Sequence, residues 1–147
     1  MRRAIDYKAE VVAADLREST SAVGSVGREG LNYGHTLAHA IEAHHHFSWR
    51  HGEAVSVGMV FMAEVSRRLL GLDADAVRRH RDVLASLGLP VTYDGADYDE
   101  LRAIMSRDKK ARGSTLRLIG LPRIGEVELV EDPAEQVLQE AFATLHP

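Results

Sequence analysis

The sequence predicts a mainly α-helical bundle carrying one small β-hairpin. Three observations predict it. Apolar residues recur at three- and four-residue steps through most of the 147 residues. A single stretch, around 116–129, instead sets short apolar runs about a Pro122/Gly125 turn. The composition, 45% hydrophobic and 27% charged with few aromatics and four prolines, is that of a helix-rich globular chain.

Residues 4–18 space Ile5, Lys8, Val12 and Leu16 along one helix that ends near Glu18. The stretch 19–27 (STSAVGSVG) is small and polar, with no face to bury, and reads as a loop. A second helix is expected from Glu29 to Ala43, with Leu31, Leu37, Ala38 and Ile41 facing inward. Gly30 and Gly34 interrupt it at about 1 kcal/mol each relative to alanine, which points to a close approach. Residues 44–52 break the pattern. Glu53 to Leu70 resumes it, apolar on nearly every side, as a helix of the core. Asp73 is the expected N-cap of an amphipathic helix over Leu72 to Leu87, with Gly88 and Pro90 as stop signals. Asp97 to Met105 forms a shorter helix that runs into the charged stretch 106–113. Leu116, Leu118, Val127 and Leu129 form the hairpin, and Asp132-Pro133 reads as the cap and first turn of a last helix ending near Leu145.

The length fits a single domain, residues 1–147, with no repeat or low-complexity segment. Without cysteine there is no disulfide and no thiolate metal site, so any metal must be held by histidine, carboxylate or water. The net charge of -4 makes nucleic acid a poor default partner. No apolar run is long enough to span a bilayer or serve as a signal peptide, so the expected compartment is the cytoplasm.

Asn32, His35, His39 and Glu42 fall at steps of three and four, so one helix would stack them in a polar row. Two histidines one turn apart can converge on a divalent cation at about 2.0 to 2.1 Å, and His51 can return a third nitrogen after the loop. The spacing permits this without requiring it, since surface and capping histidines share it. His44, His45 and His46 read as a solvated run, Trp49 as a packing residue, and Glu53 as a carboxylate favoured by a helix N-terminus. Met59, Met62 and Met105 read as core fillers.

LNYGHTLAHAIE at 31–42, followed by WRHGEAVSVGM at 49–59, resembles the paired signature of the 3-dehydroquinate synthases. The resemblance extends back to Lys8–Val12 and Asp15 and forward through 87–90, Asp108-Lys-Lys110 and the hairpin. It implies a fold like the C-terminal domain of those enzymes, Zn2+ or Co2+ held by His35 and His51, and His39 on the substrate side. By the same matching, Lys8, Arg28 and Asn32 hold the substrate's phosphate, carboxylate and hydroxyls, and Lys109 or Lys110 adds positive charge. Arg117 is a further candidate for that role. These residue types suit an anionic sugar-acid phosphate, which needs several cationic donors in one pocket.

The implied reaction converts 3-deoxy-arabino-heptulosonate 7-phosphate to 3-dehydroquinate with bound NAD, in a homodimer. Another sugar phosphate cyclase, of the cyclitol or aminodehydroquinate type, is a close alternative, and a non-catalytic helical module binding a partner protein is a second. The family's third metal ligand, a glutamate, has no counterpart in Glu10, Glu18, Glu42 or Glu53. No GxGxxG-like run follows a strand, so the NAD-binding domain is expected to lie outside this chain, which alone should not turn over substrate. The 19–27 stretch is longer than the connection usual in the family, which bears on the place of Arg28.

Overall fold

A computed structural model of the chain describes residues 2–17, 27–110 and 116–147; the side chains of 14–17, 28 and 107–110 are outside that description. The elements in order are α1 (Arg2–Arg17), a 3-10 turn (Gly27–Asn32), α2 (His35–His44), α3 (His51–Leu70), α4 (Ala74–Ser86), α5 (Tyr98–Lys110), β1 (Arg117–Arg123), β2 (Glu126–Glu131) and α6 (Glu135–Ala143). The expected fold class, a helical bundle with one hairpin, is the one observed. Among the described residues no helix is long and apolar enough to cross a membrane.

The helix apolar on nearly every side, α3, is the centre of the molecule. It packs against α2, α4, β1 and α6, and Ala54, Val57, Val60, Phe61 and Val65 are all but inaccessible. Leu37 and Ile41 of α2, Leu101 of α5, Leu118 of β1 and Leu138 and Phe142 of α6 complete the main core around it. Each such side chain withdrawn from water contributes about 1.5 to 3 kcal/mol. Met62 and Met105 lie in this core as expected, and Met59 at its edge. Trp49 packs on it too, its ring edge-on to Tyr93.

The single helix expected over Glu29 to Ala43 is divided in two. Gly34 adopts φ +79°, a left-handed conformation that ends the 3-10 turn and starts α2 at His35. The close approach is with Gly58 of α3: a Cβ on Gly58 would stand 2.0 Å from the Gly34 carbonyl oxygen, and one on Gly34 would stand 2.7 Å from the Met59 nitrogen. Asn32 consequently ends the 3-10 turn instead of sharing the α2 row with His35 and His39.

Asp73 caps α4 as expected, its carboxylate accepting from the Asp75 N–H at 2.7 Å. The charged stretch after Met105 continues α5 to Lys110. In the hairpin, Leu118 faces Val130 and Ile119 faces Leu129, with a register shift between Gly120 and Arg123. The Leu121 N–H donates to the buried Ser66 hydroxyl at 3.0 Å, and that hydroxyl donates to the Met62 carbonyl, which fastens β1 to α3. Val127 and Leu129 are half-buried and Val130 is buried, so the inward set of β2 is shifted from the expected alternation.

Two further expectations are corrected. Asp132 does not cap the last helix: at φ +41° it closes the hairpin base, its N–H donating to the Leu116 carbonyl and its carboxylate accepting from the Leu116 N–H, both at 2.8 Å. The residue before α6 is Ala134, with no side-chain cap. His45 is not merely solvated, because its Nε2 is hydrogen-bonded to the Tyr93 hydroxyl at 2.9 Å and its ring stacks on Trp49. The 19–27 stretch lies outside the described residues except for Gly27, which opens the 3-10 turn.

Gly58→Ala forces a methyl into the Gly34 carbonyl and is expected to destabilise the fold by about 3 kcal/mol or more, the upper range for overpacking. Gly52→Ala, at a helix position where a Cβ meets nothing within 4 Å, is the control and should be neutral or stabilising. Urea unfolding of the two variants measures the difference.

Candidate metal centre

The α2 helix begins at His35, so His35 and His39 stand one turn apart on the same face, ring centroids 5.7 Å from each other. The chain then reverses through a tight loop. His46 and Phe47 both take positive φ, and the loop is held by Phe47 N–H donating to the Glu42 carbonyl at 2.7 Å and Ser48 Oγ donating to the His45 carbonyl at 2.8 Å. The return brings His51, the first residue of α3, over the α2 row, its ring centroid 5.4 Å from that of His35 and 6.2 Å from that of His39. Three imidazoles thus converge from two helix N-terminal segments and one helix turn.

Hydrogen bonds set which nitrogen each ring presents. His35 Nδ1 is 3.2 Å from the Tyr33 carbonyl, and His51 Nδ1 is 3.0 Å from Glu42 Oε1. Both partners only accept, which assigns the N–H of each ring to Nδ1 and leaves Nε2 with its lone pair free, the arrangement that a metal-ligating histidine needs. The Glu42 side chain is only 12% exposed and that of His51 is 56% exposed, so the carboxylate is a largely buried anchor for a ring that faces outward. One donor atom each from His39, Glu42 and His51 lies within 4.8 Å of the others.

Burial holds the His35 pKa below the ordinary histidine value, and repulsion from His39 and His51 acts in the same direction; the Tyr33 hydrogen bond and the Glu42 charge oppose them. A neutral imidazole at neutral pH is the ligating form. Imidazole nitrogens with a carboxylate at hand suit Zn2+ or Co2+, so the donor chemistry fits such an ion.

The other sequence-derived candidates are placed less closely. Lys8 is exposed on α1, which packs against the 3-10 turn, and Asn32 is exposed at the end of that turn. The backbone of Arg28 lies in the turn and those of Lys109 and Lys110 at the end of α5; the three side chains fall outside the described residues. Arg117 is engaged by two carboxylates, Glu29 at 2.8 Å and Glu131 at 3.1 Å, and ties the hairpin to the 3-10 turn. Glu53 sits in the first turn of α3, as its helix-terminal reading expects. Glu42 is the residue whose part in the centre was not foreseen, although its position in the row after His39 was the available signal.

Residues 1–111 match the family described as 3-dehydroquinate synthase C-terminal. The 3-dehydroquinate synthase of Cutibacterium acnes is 53% identical over 97% of this chain and 41% of its own length, and that of Corynebacterium jeikeium is 50% identical over 96% and 37%. The chain therefore spans about two fifths of the length of these curated relatives. Among solved structures, ValA, the 2-epi-5-epi-valiolone synthase of Streptomyces hygroscopicus with NAD+ and Zn2+ bound, aligns with a TM-score of 0.79 at 25% identity, covering 98% of this chain and 38% of that one. A 2-deoxy-scyllo-inosose synthase complexed with carbaglucose-6-phosphate, NAD+ and Co2+ aligns at 0.65 and 26% identity, covering 77% of this chain and 32% of that one. A family match over most of the chain, together with relatives identical at about half of its positions, means that this chain belongs to the 3-dehydroquinate synthase C-terminal family.

Proposed function

We propose that the chain is the metal- and substrate-binding part of a 3-dehydroquinate synthase, acting on 3-deoxy-arabino-heptulosonate 7-phosphate to give 3-dehydroquinate and phosphate. The observation that carries this reading is the convergence of His35 and His51, each with Nδ1 tied and Nε2 free, in a chain 53% identical to a 3-dehydroquinate synthase. When bound, a Zn2+ or Co2+ ion supplies Lewis acidity and NAD supplies a transient hydride acceptor.

His35 and His51 hold the metal, and the third protein ligand and the nucleotide-binding domain come from the rest of the enzyme. Glu42 keeps the His51 ring oriented. His39 stands on the substrate side of the row, where it contacts the phosphate or moves a proton. Lys8, Arg28, Asn32, Lys109 and Lys110 make up the anion-binding group, in which guanidinium and ammonium donors stabilise the departing phosphate. On this reading the complete enzyme is a homodimer of the cytoplasm. Another cyclase activity is the second reading, supported by the valiolone and inosose synthases among the structural neighbours. Dehydroquinate formation is favoured because the relatives near half identity carry that name.

Supplying the chain in trans with the nucleotide-binding half of a relative, NAD and Zn2+ should release phosphate from 3-deoxy-arabino-heptulosonate 7-phosphate. Faster release from a sugar phosphate that lacks the carboxylate would assign the other cyclase class, and no release from either would favour the partner-binding module. In calorimetric titration of the metal-stripped chain, Zn2+ should bind weakly. Either His35→Ala or His51→Ala should abolish that binding, and Glu42→Gln should weaken it about 10- to 100-fold.

The low pKa of His35 also sets a pH dependence for the metal-free fold. The unfolded chain binds the proton more readily, so stability falls as pH drops through about 6.5 towards the folded-state value and levels off below it. Thermal midpoints measured across that window should fall less steeply in His35→Ala than in the parent.

A further inference from the structure

We propose that His80, on α4 and outside the histidine cluster, is a positioning residue for His35 and acts through Tyr33. This rests on the reading of His35 as a metal ligand. The link is a chain of hydrogen bonds from one helix to another. His80 Nδ1 lies 2.7 Å from the Ala76 carbonyl, which only accepts, so Nδ1 carries the hydrogen and Nε2 of the neutral ring is an acceptor. Its partner is the Tyr33 hydroxyl at 3.2 Å. The hydroxyl's other acceptor is the Met59 carbonyl of α3 at 3.3 Å, so the Tyr33 O–H is held between α4 and α3, with His80 Nε2 the slightly nearer of its two acceptors.

At its other end Tyr33 offers its carbonyl to His35 Nδ1. The peptide between Tyr33 and Gly34 carries that carbonyl, at a left-handed position, φ +79°, that a residue with a side chain rarely adopts. Pressing Gly34 onto Gly58 fixes where the turn sits. Holding the phenol from α4 fixes which way the Tyr33 residue, and so its carbonyl, faces. With the carbonyl held, His35 keeps hydrogen on Nδ1 and leaves the Nε2 lone pair available, in a ring whose centroid is 5.4 Å from that of His51. Without it, the ring reverts to the tautomer with hydrogen on Nε2, which cannot ligate through that atom.

The experiment compares His80→Leu, His80→Gln and Tyr33→Phe with the parent full chain, using two readouts. The first is the tautomer of His35, from the 15N shifts of its ring in the metal-free protein. The second is Zn2+ affinity by calorimetry. His80→Leu and Tyr33→Phe should each remove the Nδ1–H signature of His35 and weaken Zn2+ binding on the order of ten-fold. The double variant should be no worse than either single one, because both cut the same path. His80→Gln, which keeps an acceptor for the phenol, should restore both signals. A tautomer and an affinity unchanged in Tyr33→Phe would overturn the proposal, and because that variant keeps the ring it decides the matter even if His80→Leu does not fold. Zn2+ binding that survives His35→Ala would sink the metal reading instead, while the tautomer in the metal-free chain would still test the link from His80.

Discussion

The contact on which the rest of the molecule depends is the crossing of two backbones at Gly34 and Gly58. Neither position has room for a Cβ, because one on Gly58 would meet the Gly34 carbonyl oxygen and one on Gly34 would meet the Met59 nitrogen. The crossing lets α2 lie directly on α3, and it does so where α3 is most buried. It also explains why the stretch from Glu29 to Ala43 is not one helix: a left-handed residue at Gly34 resets the chain direction and makes His35 the first residue of α2. A helix unbroken through this region would carry Asn32 in the histidine row and leave no close contact with α3.

The chemistry of the centre follows from that placement. Because α2 and the start of α3 are held side by side, three imidazoles meet, and each of His35 and His51 finds an acceptor for Nδ1 within its own neighbourhood. These acceptors differ in kind. The Tyr33 carbonyl is a neutral backbone group, whereas the side chain of Glu42 is a carboxylate largely withdrawn from water. Burial and mutual repulsion keep His35 neutral, and a neighbouring carboxylate favours positive charge close by. The result is a group of imidazole nitrogens beside a carboxylate, a donor set whose chemistry suits a divalent cation.

Away from the centre, the scaffold is held by single polar side chains where regular structure stops. The Ser66 hydroxyl receives the N–H that the β1 irregularity leaves without a ladder partner, and Asp132 closes the hairpin base with both its backbone and its carboxylate. Arg81 reaches the carbonyls of Val91 and Thr144 and binds the segment before α5 to the C-terminal end. Each of these groups satisfies a backbone atom that would be costly to bury alone. Together they help to keep α4, the hairpin and α6 seated on α3.

The order and type of nearly all the elements could be read from the sequence, because apolar periodicity and turn residues act over a few positions. The all-apolar face of α3 and the Asp73 cap were legible in that way, whereas the pairing of His35 with His51 was implied only by the resemblance to the family signature. Tertiary structure decided whatever depends on residues far apart in the chain. It divided the helix at Gly34 because Gly58 lies against it, turned Asp132 from a helix cap into the clasp of the hairpin, and engaged Arg117 with Glu29, 88 residues away. It gave His45 a partner in Tyr93 and brought His80 to the phenol of Tyr33. Local patterning fixes which face of a segment is buried, but only the packed chain determines which distant donor meets which acceptor.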